Sequence, residues 1–408
     1  MMTTKRTAIR GRLAVRRAAN RPPWGRWKSG HRTIVAPLAA TVAATLAATV
    51  ALRMGVALAR AERDRRSART RRARDRQFAL APGERPEDGV RRMALGQLDL
   101  AIELLEGAGK PVSAATAVHE TRKSLKRLRA LVRLIEGELG EEQFIREDAV
   151  LRDAGLRLAG ARDAEVMVTT LDLLLAAHPK LARRPGVAKL RVQLVAERYG
   201  ASRRASGDTS ARAEVLGELH ALRGRVAGWS LPHREGISTL EPGLRSIYRQ
   251  GAQRRRRAAR GRGHKGHAMH EWRKRVKDLR YVVEILEPRD LGSVRKRDRR
   301  SGRAPDREAQ GEIRGKARRA DELGELLGED HDLWLLAQRL KQSPPAGGGR
   351  QPEVGKGARK ALLGVIARRR RRVRREALRK GERLYRHPPK RFVRRVGDAY
   401  ERSPLSRP

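Results

Sequence analysis

A histidine followed at helical intervals by arginines and lysines occurs twice in this chain. In "VHETRKSLKRLRALVRLIEGELG", which begins at Val118, His119, Arg122, Lys123, Lys126, Arg129 and Arg133 recur at spacings of three and four. At about 100° per residue they share one stripe of a helix, with successive rungs about 5.4 Å apart. Such a ladder suits a polyanion, because guanidinium groups take phosphate oxygens in a two-pronged fork and lysine supplies a movable point charge. Like charges at i and i+4 cost a helix about a few tenths of a kcal/mol per pair, and few acids are interleaved here. A bound polyanion explains the pattern better than helix stability does; the plainer alternative is a solvated face in an arginine-rich chain. For the histidine two readings stand side by side. Its imidazolium is disfavoured by like charge in an empty site and favoured beside phosphate, which makes it a pH-sensitive contact; otherwise it is a neutral ring bonded to a neighbouring helix.

The elements that must position these groups are helices. Leu125, Leu128, Val132, Ile135 and Leu139 form a second, apolar stripe about 140° from the ladder, which predicts a bundle core on that side. The segment at 118–136 matches "MHEWRKRVKDLRYVVEILE" at 269–287 without a gap, so that His119 corresponds to His270. The second copy carries its own ladder, His270, Arg273, Lys274, Lys277 and Arg280, with Val276, Leu279, Val283 and Leu286 facing inward. Upstream, "DGVRRMALGQ" (88–97) resembles "PGLRSIYRQG" (242–251); downstream, "LRLAGARDAEVMV" (156–168) loosely answers "LGELLGEDHDLWLL" (323–336). From Pro86 onward no strand-like alternation lasts, and long amphipathic segments predict an all-α fold. The expected breaks lie at 200–210, 228–236, 288–311 and 343–357, where Gly, Pro and Ser gather.

Composition agrees with a polyanionic partner. Ninety-five Lys and Arg against 46 Asp and Glu give a formal charge of +49, far beyond what solubility requires. Nucleic acid is the second choice, because aromatic residues are only 3% and stacking platforms for bases are scarce. The absence of cysteine excludes disulfides, thiolate catalysis and Cys-ligated zinc. Residues 1–83 read as a basic, partly disordered region with an Ala/Thr-rich helix. Within it, 33–59 is long enough to span a bilayer, yet Ala and Thr insert weakly and Arg53 interrupts the run. An ordinary helix, a membrane anchor and a targeting segment are its three readings.

Signals for catalysis or cofactors are weak. "GRGHKG" (261–266) has the spacing of a dinucleotide loop but no strand before it, and "GGGRQPEVGKG" misplaces the first glycine of a phosphate loop. His264, His267 and His270 at three-residue spacing, and the carboxylates around His331 in "EDHD", are thin grounds for a metal in so basic a setting. The expectation is no cofactor, no metal and no enzymatic activity.

"VHETRKSLKRLRAL" followed by "LAGARDAEV", and "HEWRKRVKDLRYVVEIL" followed by "LGEDHDL", resemble the two halves of a CHAD domain, the conserved histidine α-helical domain. The resemblance spans about 84–400, with a first unit at 84–228, a second at 236–400 and a tail at 401–408. It implies two pseudo-symmetric four-helix bundles forming a basic central channel, in which members of the family bind inorganic polyphosphate and associate with polyphosphate granules. By that resemblance the two ladders are the ligand contacts and the location is cytoplasmic. Two departures limit it. The pair Arg162-Asp163 is replaced by "EDHD" in the second half, and the Glu-x-Glu-x-Lys signature of the triphosphate-tunnel module that often accompanies the family is absent.

Overall fold

Start and stop signals in the sequence become helix ends. In the computed structural model, Pro86 opens the first long helix with Glu87 and Asp88 in its first turn, where they complement the helix dipole, and Gly107 closes it at φ 73°, a conformation that favours glycine. Ser113 caps the next, its hydroxyl accepting from the Thr116 amide at 3.2 Å. The structure describes residues 78–107, 112–184, 186–207, 209–261, 265–287, 307–342 and 355–406, all within the unit that spans 71–408. The Ala/Thr-rich segment at 33–59 lies outside them. No helix among the described residues is long and apolar enough to cross a membrane.

Thirteen helices and no strand occur among the described residues. In chain order they are α1 (Pro86–Glu106), α2 (Ala114–Leu134), α3 (Glu136–Leu139), α4 (Glu141–Arg157), α5 (Gly160–Ala177), α6 (Pro179–Ala182) and α7 (Val187–Gly207). They continue as α8 (Thr209–Ala227), α9 (Glu241–Arg260), α10 (Lys265–Ile285), α11 (Arg307–Lys341), α12 (Lys356–Leu384) and α13 (Pro389–Glu401). The fold is all-α. The stretch at 200–210, expected as a break, is almost entirely helical, because α7 runs to Gly207 and α8 begins at Thr209. Its Gly and Ser residues lower helix propensity by less than about 1 kcal/mol each, which neighbouring turns overcome. The break at 228–236 does separate α8 from α9. Residues 307–311, expected in a loop, form the first turn of α11.

The apolar stripes are where they were expected. Leu125, Leu128, Val132 and Ile135 of the first copy, and Val276, Leu279, Val283 and Leu286 of the second, are all buried. Helix α2 packs on α1 and α4, and α8 closes the set against α1 and α4; α10 packs on α9 and α11, and α13 closes that set against α9 and α11. Helices α2 and α10 pack against each other. The apolar packing does not divide along the repeat, however. One core joins both sets, while a second unites Leu171, Leu174 and Leu190 of α5 and α7 with Leu336 and Leu340 of α11 and Leu362 and Ile366 of α12. The buried region also reaches beyond the first and last long helices: Phe78, Leu80 and Leu405 are buried, and the Gly83 amide donates to Leu405 O at 3.1 Å.

Two close approaches need glycine. A Cβ at Gly243 of α9 would stand 1.8 Å from Leu134 O, and one at Gly381 of α12 would stand 2.4 Å from the Trp272 ring. Trp272 occupies the repeat position of Thr121, and both are fully buried; the missing side chain of Gly381 makes room for the larger residue.

Candidate functional site

The ladder residues of α2 fall into two groups along the helix. At the C-terminal end, Arg129 grips Asp148 of α4 with both prongs, Nε to Oδ1 at 3.0 Å and Nη2 to Oδ2 at 2.8 Å. Arg133 is buried and bridges two helices, reaching Asp148 at 2.7 Å and Asp278 of α10 at 3.4 Å. Burial pushes the Arg133 guanidinium down from its ordinary value, against the pull of Asp278. Burial likewise pushes the Asp148 carboxyl up, but the Arg129 hydrogen bond and the charges of Arg133, Arg129 and Arg275 outweigh it and hold the group below the usual carboxylate range.

Toward the N-terminal end the surroundings are wetter. His119 and Lys126 are exposed, and Lys123 meets Glu120 one turn back at 3.8 Å. Arg122 is half-buried and donates to Leu158 O and Ala159 O at 3.3 and 3.0 Å, closing the C-terminal end of α4.

Helix α10 repeats this division. Arg280 pairs with Asp321 of α11 at 3.0 Å, and Lys274 meets Glu271 one turn back at 2.7 Å. Arg273 lies against α11, where a Cβ at Gly328 would come within 3.5 Å of its Nη2. Lys277 is half-buried. His270 lies tilted against His331 of α11, ring centroids 4.4 Å apart, and His331 stacks on Trp334 at 5.7 Å. Burial first, then Lys274 and Arg273, push the His270 imidazole down, so the ring favours its neutral form. Burial, Arg273 and His270 push His331 down to about 3.

The two ladder helices meet through charge. Arg127 of α2 pairs with Glu284 of α10 at 3.0 Å, and Arg133 with Asp278. Asp278 also faces Arg275 on its own helix at 3.1 Å. Arg127 was not singled out from the sequence because it lies off the ladder stripe; it is buried, and its guanidinium lies over the Phe78 ring at 4.6 Å.

The carboxylates of "EDHD" serve the arginine tract of α12. Asp330 is buried and holds both Arg370, at 3.0 Å, and Arg374, at 2.7 Å, while Glu329 pairs with Arg369. Those three arginines therefore tie α12 to α11, whereas Arg368, Arg371, Arg372 and Arg375 are exposed on the other side of the same helix. No group of three or more metal-ligating side chains occurs among the described residues.

The family model described as CHAD domain matches residues 92–341. No curated protein matches the chain. Among solved structures, PptA from Streptomyces chartreusis is similar at 17% identity and a TM-score of 0.49, covering 74% of this chain and 100% of its own. The CHAD domain from the plant Ricinus communis is similar at 19% identity and a TM-score of 0.46, covering 74% of this chain and 93% of its own. The match extends over most of both copies of the His-basic helix, and the chain belongs to the CHAD domain family, a family associated with polyphosphate binding.

Proposed function

We propose that this protein binds inorganic polyphosphate without transforming it, and that it acts in the cytoplasm at polyphosphate granules. In this reading residues 84–400 form one domain in which two pseudo-symmetric bundles enclose a basic channel. The ligand contacts are the N-terminal rungs His119, Arg122, Lys123 and Lys126 with His270, Arg273, Lys274 and Lys277, whereas Arg129, Arg133 and Arg280, expected from the sequence as further contacts, are already paired with acids and position the two helices. One observation carries the proposal: both copies divide their ladder in the same way. Acids from neighbouring helices meet the C-terminal arginines, Asp148 at Arg129 and Arg133 and Asp321 at Arg280, while Lys123 and Lys274 meet glutamates of their own helix. The paired arginines hold the helices in place, and the N-terminal rungs offer movable cations to a phosphate chain.

Competition binding at one fixed salt concentration tests this reading. Long-chain polyphosphate should displace duplex DNA at matched charge, because a confined channel admits a thin, flexible strand and not a wide duplex. Equal or better binding of DNA would leave only generic electrostatics and favour a nucleic-acid partner.

A further inference from the structure

A cavity of about 390 Å³ opens between the N-terminal part of α11, the C-terminal end of α12 and α13. None of its lining residues belongs to either ladder. Lys316, Arg319, Arg383, Arg386 and Arg395 line it against two carboxylates, Glu308 and Glu312, so five cations face two anions. Glu312 is shared by Lys316 at 3.2 Å and Arg395 at 2.7 Å. Arg319 and Arg383 pair with no carboxylate among the described residues. This concave site therefore carries an excess of positive charge of its own.

The wall is built and held. Tyr248 stacks on Phe392 with ring centroids 3.9 Å apart, and its hydroxyl donates to Leu384 O at 3.2 Å and His387 O at 3.0 Å. Those bonds fix the turn that carries Arg386 and His387. The Lys316 ammonium lies over the Phe392 ring at 5.1 Å. His387 Nε2 accepts from Arg386 Nε at 3.0 Å and lies 3.4 Å from Arg395 Nη1, so a neutral imidazole sits between two guanidinium groups and orients both. Arg383, Arg386, His387 and Arg395 all lie beyond residue 341, where the family match ends.

The volume is near the lower end of the range for small-molecule sites, about 300–1,000 Å³, but such sites are lined mostly by apolar side chains, whereas Leu384 is the one apolar side chain in this lining. Several guanidinium forks converging on a small space suit a compact anion with acceptor oxygens on every side. We propose that this cavity is a second anion site that takes a short chain of two or three phosphoryl groups. Pyrophosphate, tripolyphosphate and the phosphate tail of a nucleotide share that chemistry. The proposal stands independently of the ladders, which bind along α2 and α10.

The full-length protein should be titrated calorimetrically with pyrophosphate, tripolyphosphate and ATP at fixed salt and without divalent cations. The double variant Arg319→Ala/Arg383→Ala breaks no ion pair, and it should weaken tripolyphosphate binding about tenfold or more, the scale of one lost charge-assisted hydrogen bond. The control variant Arg371→Ala/Arg372→Ala, exposed on α12 and outside both the cavity and the ladders, should leave that binding within about twofold, and the ladder variant Lys126→Ala/Lys277→Ala should leave the cavity's saturable component in place. Equal affinity for tripolyphosphate and ATP is the result expected if phosphate alone is read, and a clear preference for ATP would identify a nucleotide as the source. Loss in the ladder variant together with retention in the cavity variant would overturn the proposal, as would the absence of saturable binding by all three probes. Arg383→Lys keeps the charge and removes only the fork; a several-fold loss is expected, and an unchanged affinity counts against the site.

Discussion

Arg127 and Asp278 occupy the same position in the two copies of the repeat, carry opposite charges, and are each neutralised across the contact between α2 and α10. Arg127 faces Glu284 and Asp278 faces Arg133, and these two partners also share one repeat position. The crossing is therefore self-complementary in position and reversed in charge. A strictly duplicated sequence would have set like charges against each other here; divergence at two positions turned that repulsion into attraction.

Removing one carboxylate from this contact should be costly. Asp278 is buried between Arg133 and Arg275, so Asp278→Asn leaves cations without their shared counter-charge. A loss of about 3 kcal/mol is expected from comparable broken buried pairs, read as a lower urea midpoint with an unchanged slope. A loss below about 1 kcal/mol would mean that Asp148 alone neutralises Arg133.

The histidine pair predicts sensitivity to acid. His331 has its folded value pushed down to about 3 and an ordinary value of 6.5 when unfolded. Between these limits the unfolded chain binds the extra proton, so the contribution is full above about pH 6.5 and is lost as pH falls toward 3. Partial exposure keeps that loss below the slope of one full proton. Chemical denaturation from pH 7 to 4.5 should show a shallower decline for His331→Gln than for the native protein. His270 is shifted in the same direction and should add to the slope.

Charge reversal separates a ladder from a field. Lys126→Glu/Lys277→Glu and Arg371→Glu/Arg372→Glu each change the net charge from +49 by four units. Arg371 and Arg372 are exposed on α12 and lie apart from the arginines that tie α12 to α11. The first pair should weaken polyphosphate binding by several kcal/mol, because it sets carboxylates against partly desolvated phosphates. The second should lose only steering, a deficit that fades with added salt. Equal affinities, with both variants folded by circular dichroism, would remove the ladder as the site.

Two glycines should respond with opposite signs. Gly217 lies in the middle of α8 with nothing within 4 Å of an added Cβ, so Gly217→Ala should stabilise by about 0.5–1 kcal/mol through helix propensity. Gly243→Ala would press a methyl group into the Leu134 backbone and should destabilise by about 1–3 kcal/mol or more. Thermal midpoints of the two variants check the contrast.

The helices of the two copies, and the residues they turn inward, were legible because periodicity is a local property: every inward position named in the first copy up to Ile135, and all four in the second, is buried. The partners of Arg129, Arg133 and Arg280 were not. Each depends on an acid 19, 145 or 41 positions away, brought close only by helix crossing. The same holds for Asp330, which in "EDHD" looks like one carboxylate among several until α12 delivers Arg370 and Arg374 to it. Sequence spacing shows which charges share a face; only the packing shows which of them are already neutralised.

Helix α11 runs for 35 residues, about 52 Å at 1.5 Å per residue, and belongs to both apolar cores. It couples them as a beam couples two supports, so neither core can melt alone without loosening the element that the other leans on. The region matched by the family ends at Lys341, where this helix stops, yet α12 also spans both cores and α13 carries Phe392, Val396 and Tyr400 into the first. A fragment cut at Lys341 would expose those contacts to water. The cooperative folding unit therefore extends past Lys341, and limited proteolysis should yield a resistant fragment that retains α12 and α13.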